Sequence, residues 1–250
     1  MIRRTITLSS LAAVGLSISG PAALAADLTP PVPRQAYGEA ADGRDGVYVA
    51  LRGGYNSLDD SVYNFNNVTA PVAFTTKATT SYRSGYAYSG ALGYDFGEFT
   101  PGFGSRIEVE VGQFSNKVRG QTLSTSLGTA TSFSGNQVSG TTNATTGLVN
   151  YYVDALLGPF KPFATLGLGV TSVNFSNHLA AGNSLINSTR VSWAWSGGGG
   201  IGYDITDNIT LEAAYRYLEL RDVQVTSAAG TNSKINLRNQ QATLGVRVRF

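Results

Sequence analysis

The C-terminal residues of the chain alternate between apolar and polar side chains without a break. The apolar positions are Ala242, Leu244, Val246, Val248 and Phe250, and the positions between them include Arg247 and Arg249. A repeat of two residues predicts a β-strand with one apolar and one polar face. Two folds fit this strand, since its apolar face would look inward in a soluble sandwich and outward to lipid in a transmembrane barrel.

Seven further segments upstream show the same alternation. With the C-terminal stretch from 238, they lie at 46–56 and about 84–96, 105–115, 147–157, 161–173, 190–204 and 208–220. Each reaches the roughly 9–11 residues that a tilted transmembrane strand needs. Their even number is the one expected for a single-chain bacterial barrel.

The connections between the segments are alternately long and short. The short links are 97–104, 158–160 and 205–208, and the long Ser/Thr/Asn-rich connections lie near 57–83, 116–146, 174–189 and 221–234. A transmembrane barrel has short periplasmic turns and long extracellular loops, whereas a sandwich has no reason to send every long loop to one end. The pattern therefore favours an all-β fold, an eight-stranded antiparallel up-and-down transmembrane β-barrel. The low-complexity stretch 120–147 is expected to be a mobile extracellular loop.

The N-terminus predicts export. Arg3 and Arg4 precede a short apolar stretch, and Ala23-Leu24-Ala25 forms an A-x-A cleavage site, so we expect cleavage between Ala25 and Ala26. Three prolines then mark a linker without periodicity. The predicted organisation is a signal peptide at 1–25, a Pro-rich periplasmic linker at 26–45 and an outer-membrane β-barrel domain at 46–250.

Charge and composition narrow the function classes. The chain has 18 basic and 16 acidic residues, and removing the signal takes away two arginines. The net charge of the mature chain is then zero, which gives no support for nucleic-acid binding. The chain has no cysteine, which excludes disulfides and thiol chemistry. Charged residues make up 14%, well below the quarter typical of soluble domains, and the 30 glycines and 13 tyrosines suit an outer-membrane barrel.

Aromatic residues add a further indication of a membrane. Several fall near the ends of the outward faces, where interfacial girdles lie. They are Tyr55, Tyr86, Phe96, Trp193, Trp195, Tyr203, Tyr217 and Phe250.

The charged residues on the predicted lumen faces form the main candidate site. They are Arg52, Arg106, Glu108, Glu110, Asp154, Glu212, Arg216, Arg247 and Arg249. The interior of an eight-stranded barrel is filled by side chains, and buried charges must be paired. We therefore predict a lumen ion-pair network with Arg52, Glu110, Glu212 and Arg216 at its core. The alternative is that several of these residues lie at the rims and are merely hydrated.

No residue is proposed as catalytic or as binding a cofactor or metal. Gly197, Gly199 and Gly202 fit G-x-G-x-x-G, but another alternating segment follows where a dinucleotide site would need a helix, so these glycines indicate close strand packing. His178 is the one histidine and falls in a predicted loop. A hydrolytic triad in the lumen would need this histidine on a strand near acidic residues, so its predicted loop position disfavours one. A single histidine without cysteine also leaves too few ligands for zinc.

Several stretches resemble a known family. They are Arg190-Val-Ser-Trp-Ala-Trp-Ser, the run from Gly199 to Asn208, Leu211-Glu-Ala-Ala-Tyr-Arg-Tyr217, the terminal Gly245-Val-Arg-Val-Arg-Phe250 and Ala26-Asp-Leu-Thr-Pro-Pro-Val-Pro33. The chain resembles the small outer-membrane β-barrel proteins of Gram-negative bacteria, the opacity-porin-like group that includes outer-membrane immunogenic proteins. The resemblance implies that Phe250, Val248, Val246 and Leu244 are read by the barrel-assembly machinery. The physical alternative, that they are simply lipid-facing residues, is compatible with that role.

The first functional hypothesis is a structural and surface role: envelope integrity, with exposed loops for adhesion or immune contact. The alternative is a narrow porin-like channel for small solutes, and a third class is an enzyme acting on lipid A. The expected partners are outer-membrane lipid and lipopolysaccharide, the barrel-assembly machinery and extracellular surface ligands. No nucleic acid is expected, and a monomer is favoured over an oligomer.

We expect the unboiled protein to migrate differently from the boiled protein on a detergent gel, because a closed barrel keeps its structure in detergent until it is heated. Identical migration of the two samples would argue against a closed sheet.

Overall fold

The computed structural model describes residues 45–69, 72–180, 183–226 and 232–250. The predicted signal peptide, its cleavage site at Ala25 and Ala26, and all but Asp45 of the linker lie outside the described residues. Within the described ranges, no helix combines the length and the apolar character needed to cross a bilayer. The strands are β1 (Gly46–Leu58), β2 (Ser61–Thr69), β3 (Val72–Tyr82), β4 (Gly85–Thr100), β5 (Phe103–Thr125), β6 (Ala130–Ser134), β7 (Val138–Ala155), β8 (Phe160–Ala180), β9 (Asn183–Asp204), β10 (Ile209–Thr226) and β11 (Asn232–Arg249).

Eight of these strands form a closed antiparallel ring. Following the ring, the order is β1, β4, β5, β7, β8, β9, β10 and β11, and β11 pairs again with β1. At the closing seam, Leu51 lies opposite Val246 and Val49 opposite Val248. The predicted eight-stranded antiparallel up-and-down barrel is therefore confirmed. Each predicted segment lies on one ring strand.

The prediction of long loops at the extracellular end is wrong over most of those regions, which form strands instead. The region near 57–83 contains the β2–β3 hairpin, which continues the sheet by pairing with the far part of β5. The low-complexity stretch 120–147 comprises the end of β5, β6, a short 3-10 helix at Gly135–Gln137 and the first half of β7. Serine and threonine are frequent there, and β-branched threonine suits a strand. Exposed apolar residues such as Leu51, Val111 and Leu166 form a belt around the outside of the ring. We call the strand structure beyond this belt, which includes the β2–β3 hairpin, β6 and the end of β5, the extracellular extension.

The apolar face of the sheet changes from the outward to the inward side at the boundary between belt and extension. In the belt the outward face is apolar and exposed, as for Leu51, Val111, Leu166 and Leu244. In the extension the inward face is apolar and buried. Its members are Leu58, Tyr63, Tyr82, Phe114, Val118, Val173, Phe175, Leu218, Leu220, Val223, Ile235 and Leu237. The repeat of two continues across the boundary, so the exchange marks where lipid ends and water begins.

Strand β11 shows this exchange within one element. Its outward residues in the belt run from Ala242 to Val248, and its outward Arg238 is exposed in the extension. Its inward Arg247 is buried in the belt, whereas its inward Leu237 is buried in the extension. The outward face of this one strand is therefore apolar where it contacts lipid and polar where it contacts water.

Glycines on β9 allow its neighbours to approach closely. A Cβ added at Gly198 would lie 2.9 Å from the Cα of Arg216, and one at Gly200 would lie 2.7 Å from the Cζ of the Phe163 ring. The glycines of the apparent nucleotide-binding motif, Gly197, Gly199 and Gly202, lie in this same strand, where a dinucleotide site would need the start of a helix.

The closing seam can be tested with an engineered disulfide, because the chain has no cysteine of its own. We expect Leu51→Cys/Val246→Cys to cross-link on oxidation. Directly opposed residues of antiparallel strands have Cα atoms about 4.5–5.5 Å apart, which is within disulfide range. Migration on a denaturing gel with and without reductant reports the link.

The matched control is Leu51→Cys/Leu211→Cys. Leu211 also lies opposite Val246, but on β10, the far neighbour of β11. It is therefore about two strand spacings from Leu51, roughly 9.6 Å, which is too far for a disulfide. Equal cross-linking of both pairs, or of neither, would contradict the closure between β1 and β11.

Candidate functional site

Ten charged side chains that are connected by ion pairs come from inward positions on six of the ring strands. β1 contributes Arg52, β5 contributes Arg106, Glu108 and Glu110, β7 Asp154, β10 Glu212 and Arg216, β11 Arg247 and Arg249, and β4 Asp95. Successive inward positions on a strand are two residues apart, which places Arg106, Glu108 and Glu110 in one column on β5. Ring closure then brings together residues that are distant along the chain. Glu110 and Arg216, for example, are 106 residues apart in sequence.

Arg52 bridges three carboxylates. Its Nη1 and Nη2 each donate to Glu108 at 2.8 Å, in a bidentate arrangement. Nη2 and Nε also donate to Glu212, at 3.0 and 3.1 Å, and Nη1 lies 3.4 Å from Glu110 Oε2. Bidentate guanidinium–carboxylate pairs are the stronger and more directional ion pairs.

The four sequence-predicted core residues are in contact with one another. Arg52 pairs with Glu110 and Glu212, and Arg216 Nη1 pairs with Glu110 Oε1 at 2.7 Å. Glu110 and Glu212 are buried, so the alternative of hydrated rim positions does not describe these two carboxylates.

Glu212 has the largest number of arginine partners. Besides Arg52, it lies 2.9 Å from Arg106 Nη1 and 3.2 Å from Arg247 Nε. Further pairs extend the connections to Asp154 through Arg106 and to Asp95 through Arg247 and Arg249. Together five arginines and five carboxylates form one connected, formally neutral set, which we call the charged network.

Aromatic residues that sequence reasoning left out of the site complete it. Tyr48 and Tyr152 donate their hydroxyl groups to Glu108 at 3.2 and 3.1 Å. The Arg106 guanidinium lies 4.0 Å from the centre of the Tyr152 ring and 5.0 Å from that of Phe163. Such cation–π contacts are favourable where water is excluded. The sequence could have indicated these two tyrosines, because each lies an even number of residues from an inward charge on its strand: Tyr48 from Arg52, and Tyr152 from Asp154.

A second layer closes the lumen on the extracellular side of the charged network. Polar pairs come first: Asn56 donates to Asn116 at 2.7 Å, and Arg216 donates to Gln241 at 2.8 Å. Beyond them lie the buried inward side chains of the extension, which include Phe114, Val173, Phe175 and Leu218. We call these apolar residues the apolar layer. Sequence reasoning missed this layer because half of the residues in the buried cluster, such as Leu58, Val118 and Phe175, fall in regions that were assigned to loops.

The residues of the predicted C-terminal assembly pattern face away from the lumen. Leu244 and Val246 are exposed on the outward face of β11, Val248 shares that face, and Phe250 is exposed just beyond the end of the strand. Their recognition by the barrel-assembly machinery stays a prediction. His178 lies in β8, but its side chain is outside the described part of the structure. Among the described residues, no group of three or more His, Cys, Asp or Glu side chains could hold a metal ion.

Comparison with known proteins adds to this geometry. A family model described as "Outer membrane protein beta-barrel domain" matches residues 11–250. The outer membrane protein PagN of Salmonella typhimurium is 26% identical over 202 residues, which is 76% of this chain and 81% of PagN. An outer membrane protein of Gluconacetobacter diazotrophicus is 29% identical over 230 residues, covering 82% of this chain and 57% of that protein.

Solved structures with a similar chain path are more distant in sequence. Neisserial surface protein A is 19% identical, with 85% of this chain and all 100% of that chain covered, at a TM-score of 0.41. OprG of Pseudomonas aeruginosa is 17% identical, with 82% and 97% covered, at a TM-score of 0.44.

The charged network can be tested at Glu212. We expect Glu212→Gln to lower the free energy of unfolding by about 3 kcal/mol or more, because it leaves three buried arginines short of one negative charge. The measurement is the urea midpoint of protein refolded into detergent or lipid, with wild type in parallel.

Glu98→Gln is the matched control, since Glu98 lies outside the charged network near the β4–β5 turn. Its Oε1 accepts a hydrogen bond from the backbone of Gly102, which an amide oxygen can also accept. We expect its urea midpoint to stay close to that of wild type. A Glu212→Gln midpoint that matches wild type would contradict a stabilising role for the network.

Proposed function

The chain belongs to the outer membrane protein β-barrel domain family and is an integral protein of the outer membrane, and from this premise we propose that it is a closed scaffold. The barrel anchors the chain in the membrane without conducting solutes, and the extracellular extension presents a polar surface to the outside. Its role is structural and surface-interacting, in envelope integrity and in adhesion or immune contact. No catalytic residue is assigned.

The observation that carries this proposal is that two successive layers of side chains occupy the lumen. The charged network crosses it within the belt, where Arg52 on β1 contacts carboxylates from β5 and β10. The apolar layer crosses the lumen on the extracellular side of the network, with members from all eight ring strands. An ion moving through would have to separate buried ion pairs and then cross apolar side chains, and both steps are costly.

The glycine-rich inward faces of β8 and β9 do not leave a path along the wall. The space that a side chain at Gly167 would need is taken by the amide oxygen of Asn150 and the hydroxyl of Ser196. At Gly200 it is taken by the Phe163 ring. The glycines thus make room for large neighbours, which supports a filled lumen over a narrow channel.

The same layers support the absence of catalysis in the lumen. Glu108, Glu110 and Glu212 are engaged with arginines, and the apolar layer separates them from the extracellular side. A general acid or base must reach its substrate within hydrogen-bonding distance. Substrate from outside has no such access to these carboxylates.

The extension supports a role at the cell surface. β5 continues for 14 residues beyond Val111, about 46 Å of strand before its tilt is considered. Its outward residues there include Gln113, Ser115 and Lys117, so the surface is polar and is built on paired strands. A surface held by a sheet keeps its shape when it contacts a partner, which lowers the entropic cost of binding.

Planar-bilayer recordings of the purified protein test the closed scaffold. We expect no steady conductance steps, because the lumen is occupied at two levels. A wide porin of sixteen or more strands in the same lipid serves as the positive control. Steady steps of nanosiemens size from this protein would overturn the proposal in favour of the narrow channel.

A further inference from the structure

The sheet of the extension has one open edge. β2, β3, the far part of β5 and β6 lie side by side in that order above the belt. At one end of this sheet, β2 lies against β11. At the other end, β6 pairs with β5 and with no further strand of the described part of the chain. The second edge of β6 therefore presents backbone groups that no described strand engages.

The pairing with β5 determines which backbone groups of β6 face the open edge. The Thr125 N–H donates to the Thr129 carbonyl at 2.8 Å, so these two residues form a hydrogen-bonded pair next to the turn between β5 and β6. Bonded and non-bonded pairs alternate along an antiparallel ladder. Thr131 and Phe133 are therefore the residues of β6 that direct their N–H and C=O groups to β5.

The other residues of β6 direct their backbone groups away from β5. These residues are Ala130, Ser132 and Ser134. The Ser134 carbonyl lies at the start of the short 3-10 helix Gly135–Gln137. The open edge thus offers the N–H groups of all three residues and the carbonyls of Ala130 and Ser132. An added strand could pair with these groups.

The turn that leads into β6 is held in place by β3. The Ser126 N–H donates to the Thr75 carbonyl at 3.0 Å, and the Thr75 N–H donates to the Ser126 hydroxyl oxygen at 3.1 Å. Gly128 has a φ of 88°, in the left-handed region that this tight turn uses. The open edge is therefore fixed before any partner arrives, which lowers the entropic cost of pairing.

The open edge lacks the features that usually prevent strand addition. Edge strands are commonly blocked by a lysine or another charge, by proline or by a bulge. β6 has the sequence Ala-Thr-Ser-Phe-Ser and pairs with β5 without a bulge. No charged residue occurs anywhere between 120 and 153. Two such edges can therefore approach each other without charge repulsion.

We propose that β6 pairs with the β6 strand of a second copy of this chain. In an antiparallel pair centred on Ser132, the Ser132 residues of the two copies exchange both of their backbone hydrogen bonds. The Ser134 N–H of each copy then donates to the partner's Ala130 carbonyl. The pair is isologous, because the same edge of both copies forms it around a two-fold axis.

The side chains of β6 are compatible with this pairing on both faces of the sheet. On one face, Ser132 meets the partner's Ser132 and Ala130 meets the partner's Ser134, so every side chain is small. On the other face, Phe133 is partly buried against the apolar layer. It lies opposite the partner's Thr131, close enough for the two side chains to be in contact.

The symmetry of the pair places the two copies in opposed membranes. The two-fold axis that relates antiparallel strands of one sheet is perpendicular to that sheet. Because β6 continues the barrel wall on β5, the sheet stands along the membrane normal and the axis lies in the membrane plane. Rotation about this axis turns one barrel upside down relative to the other. Two copies in the same membrane are related by an axis along the normal, which would make their β6 strands parallel.

β6 lies far enough from the belt for two membranes to face each other. Ser132 pairs with Thr122, which follows Val111 by 11 residues on β5. This is roughly 36 Å of strand, or roughly 25 Å of height at a tilt of about 45°. The two belts would be about 50 Å apart, twice that height.

The partner is therefore the same protein on a neighbouring cell or vesicle. A pair of five-residue strands is a weak contact, but many copies on two opposed surfaces bind jointly and gain about a hundredfold or more in avidity. This inference deepens the surface role proposed above and rests on it, because the extension must be exposed to the outside.

Clustering of proteoliposomes tests the pairing. The full-length protein is reconstituted in phosphatidylcholine vesicles, and clustering is followed by light scattering. We expect wild-type vesicles to cluster and Ser132→Pro vesicles to remain dispersed. Proline has no N–H, and the N–H at position 132 faces the open edge, so its loss leaves the pairing with β5 intact. The matched control is Ser132→Ala, which keeps the N–H and should cluster like wild type.

Opposite charges at position 132 give a second test, because the two Ser132 residues lie opposite each other in the pair. Vesicles with Ser132→Lys and vesicles with Ser132→Glu should each stay dispersed, since like charges directly opposite each other are destabilising. A mixture of the two should cluster. The control variants Thr145→Lys and Thr145→Glu carry the charge on the exposed face of β7 and should cluster like wild type, alone or mixed.

Several outcomes would overturn the proposal. They are dispersed wild-type vesicles, clustering that survives Ser132→Pro, equal loss in Ser132→Pro and Ser132→Ala, and a Lys/Glu mixture that clusters no more than either variant alone. Gel mobility before and after boiling shows that each variant is folded. Conductance steps would contradict the closed scaffold and leave the clustering results unchanged, so the two failures can be told apart.

Discussion

The hydrogen-bonding requirement of the backbone in hydrocarbon is the constraint on which the rest of the structure depends. An unpaired N–H or C=O group facing lipid costs several kcal/mol, so a sheet that crosses the membrane must have no open edge there. The pairing of β1 with β11 removes the last edge. Once the ring is closed with eight strands, its interior is only wide enough for side chains. The lumen must then be filled by the inward residues, whatever else the protein does.

The charged network is one solution to filling that interior, and it also specifies which face of each strand looks inward. Buried ion pairs are not in general more stabilising than well-packed apolar residues. A slip of one residue in register, however, would carry the network's arginines and carboxylates from the lumen into lipid. Each arginine placed on the lipid face near the bilayer centre would lower the free energy of unfolding by about 2–4 kcal/mol. In the correct register, each of the ten charged groups of the network has an oppositely charged partner within 3.4 Å.

In the extension, as in the belt, the outward face of the sheet matches its surroundings, but these are water rather than lipid. Water lies outside it, so apolar side chains such as Phe114 and Leu218 turn inward and polar ones such as Lys117 turn outward. Sequence reasoning that looked for an apolar outward face assigned β5 to about 105–115, although the strand continues to Thr125. The alternation had not ended there. Its polarity had reversed, and many Ser and Thr residues on both faces weakened the contrast.

The sequence by itself determined the number of ring strands, the inward set of charges and the membrane setting, because a repeat of two and a count of charges are local properties that survive without knowledge of partners. It also placed Arg52, Glu110, Glu212 and Arg216 on lumen faces. Only the tertiary structure decided which charges meet, since Arg52 and Glu212 are 160 residues apart and their contact depends on the stagger of every strand between them. The roles of Tyr48, Tyr152 and the apolar layer were likewise decided by packing, which is a property of the closed ring rather than of any one strand.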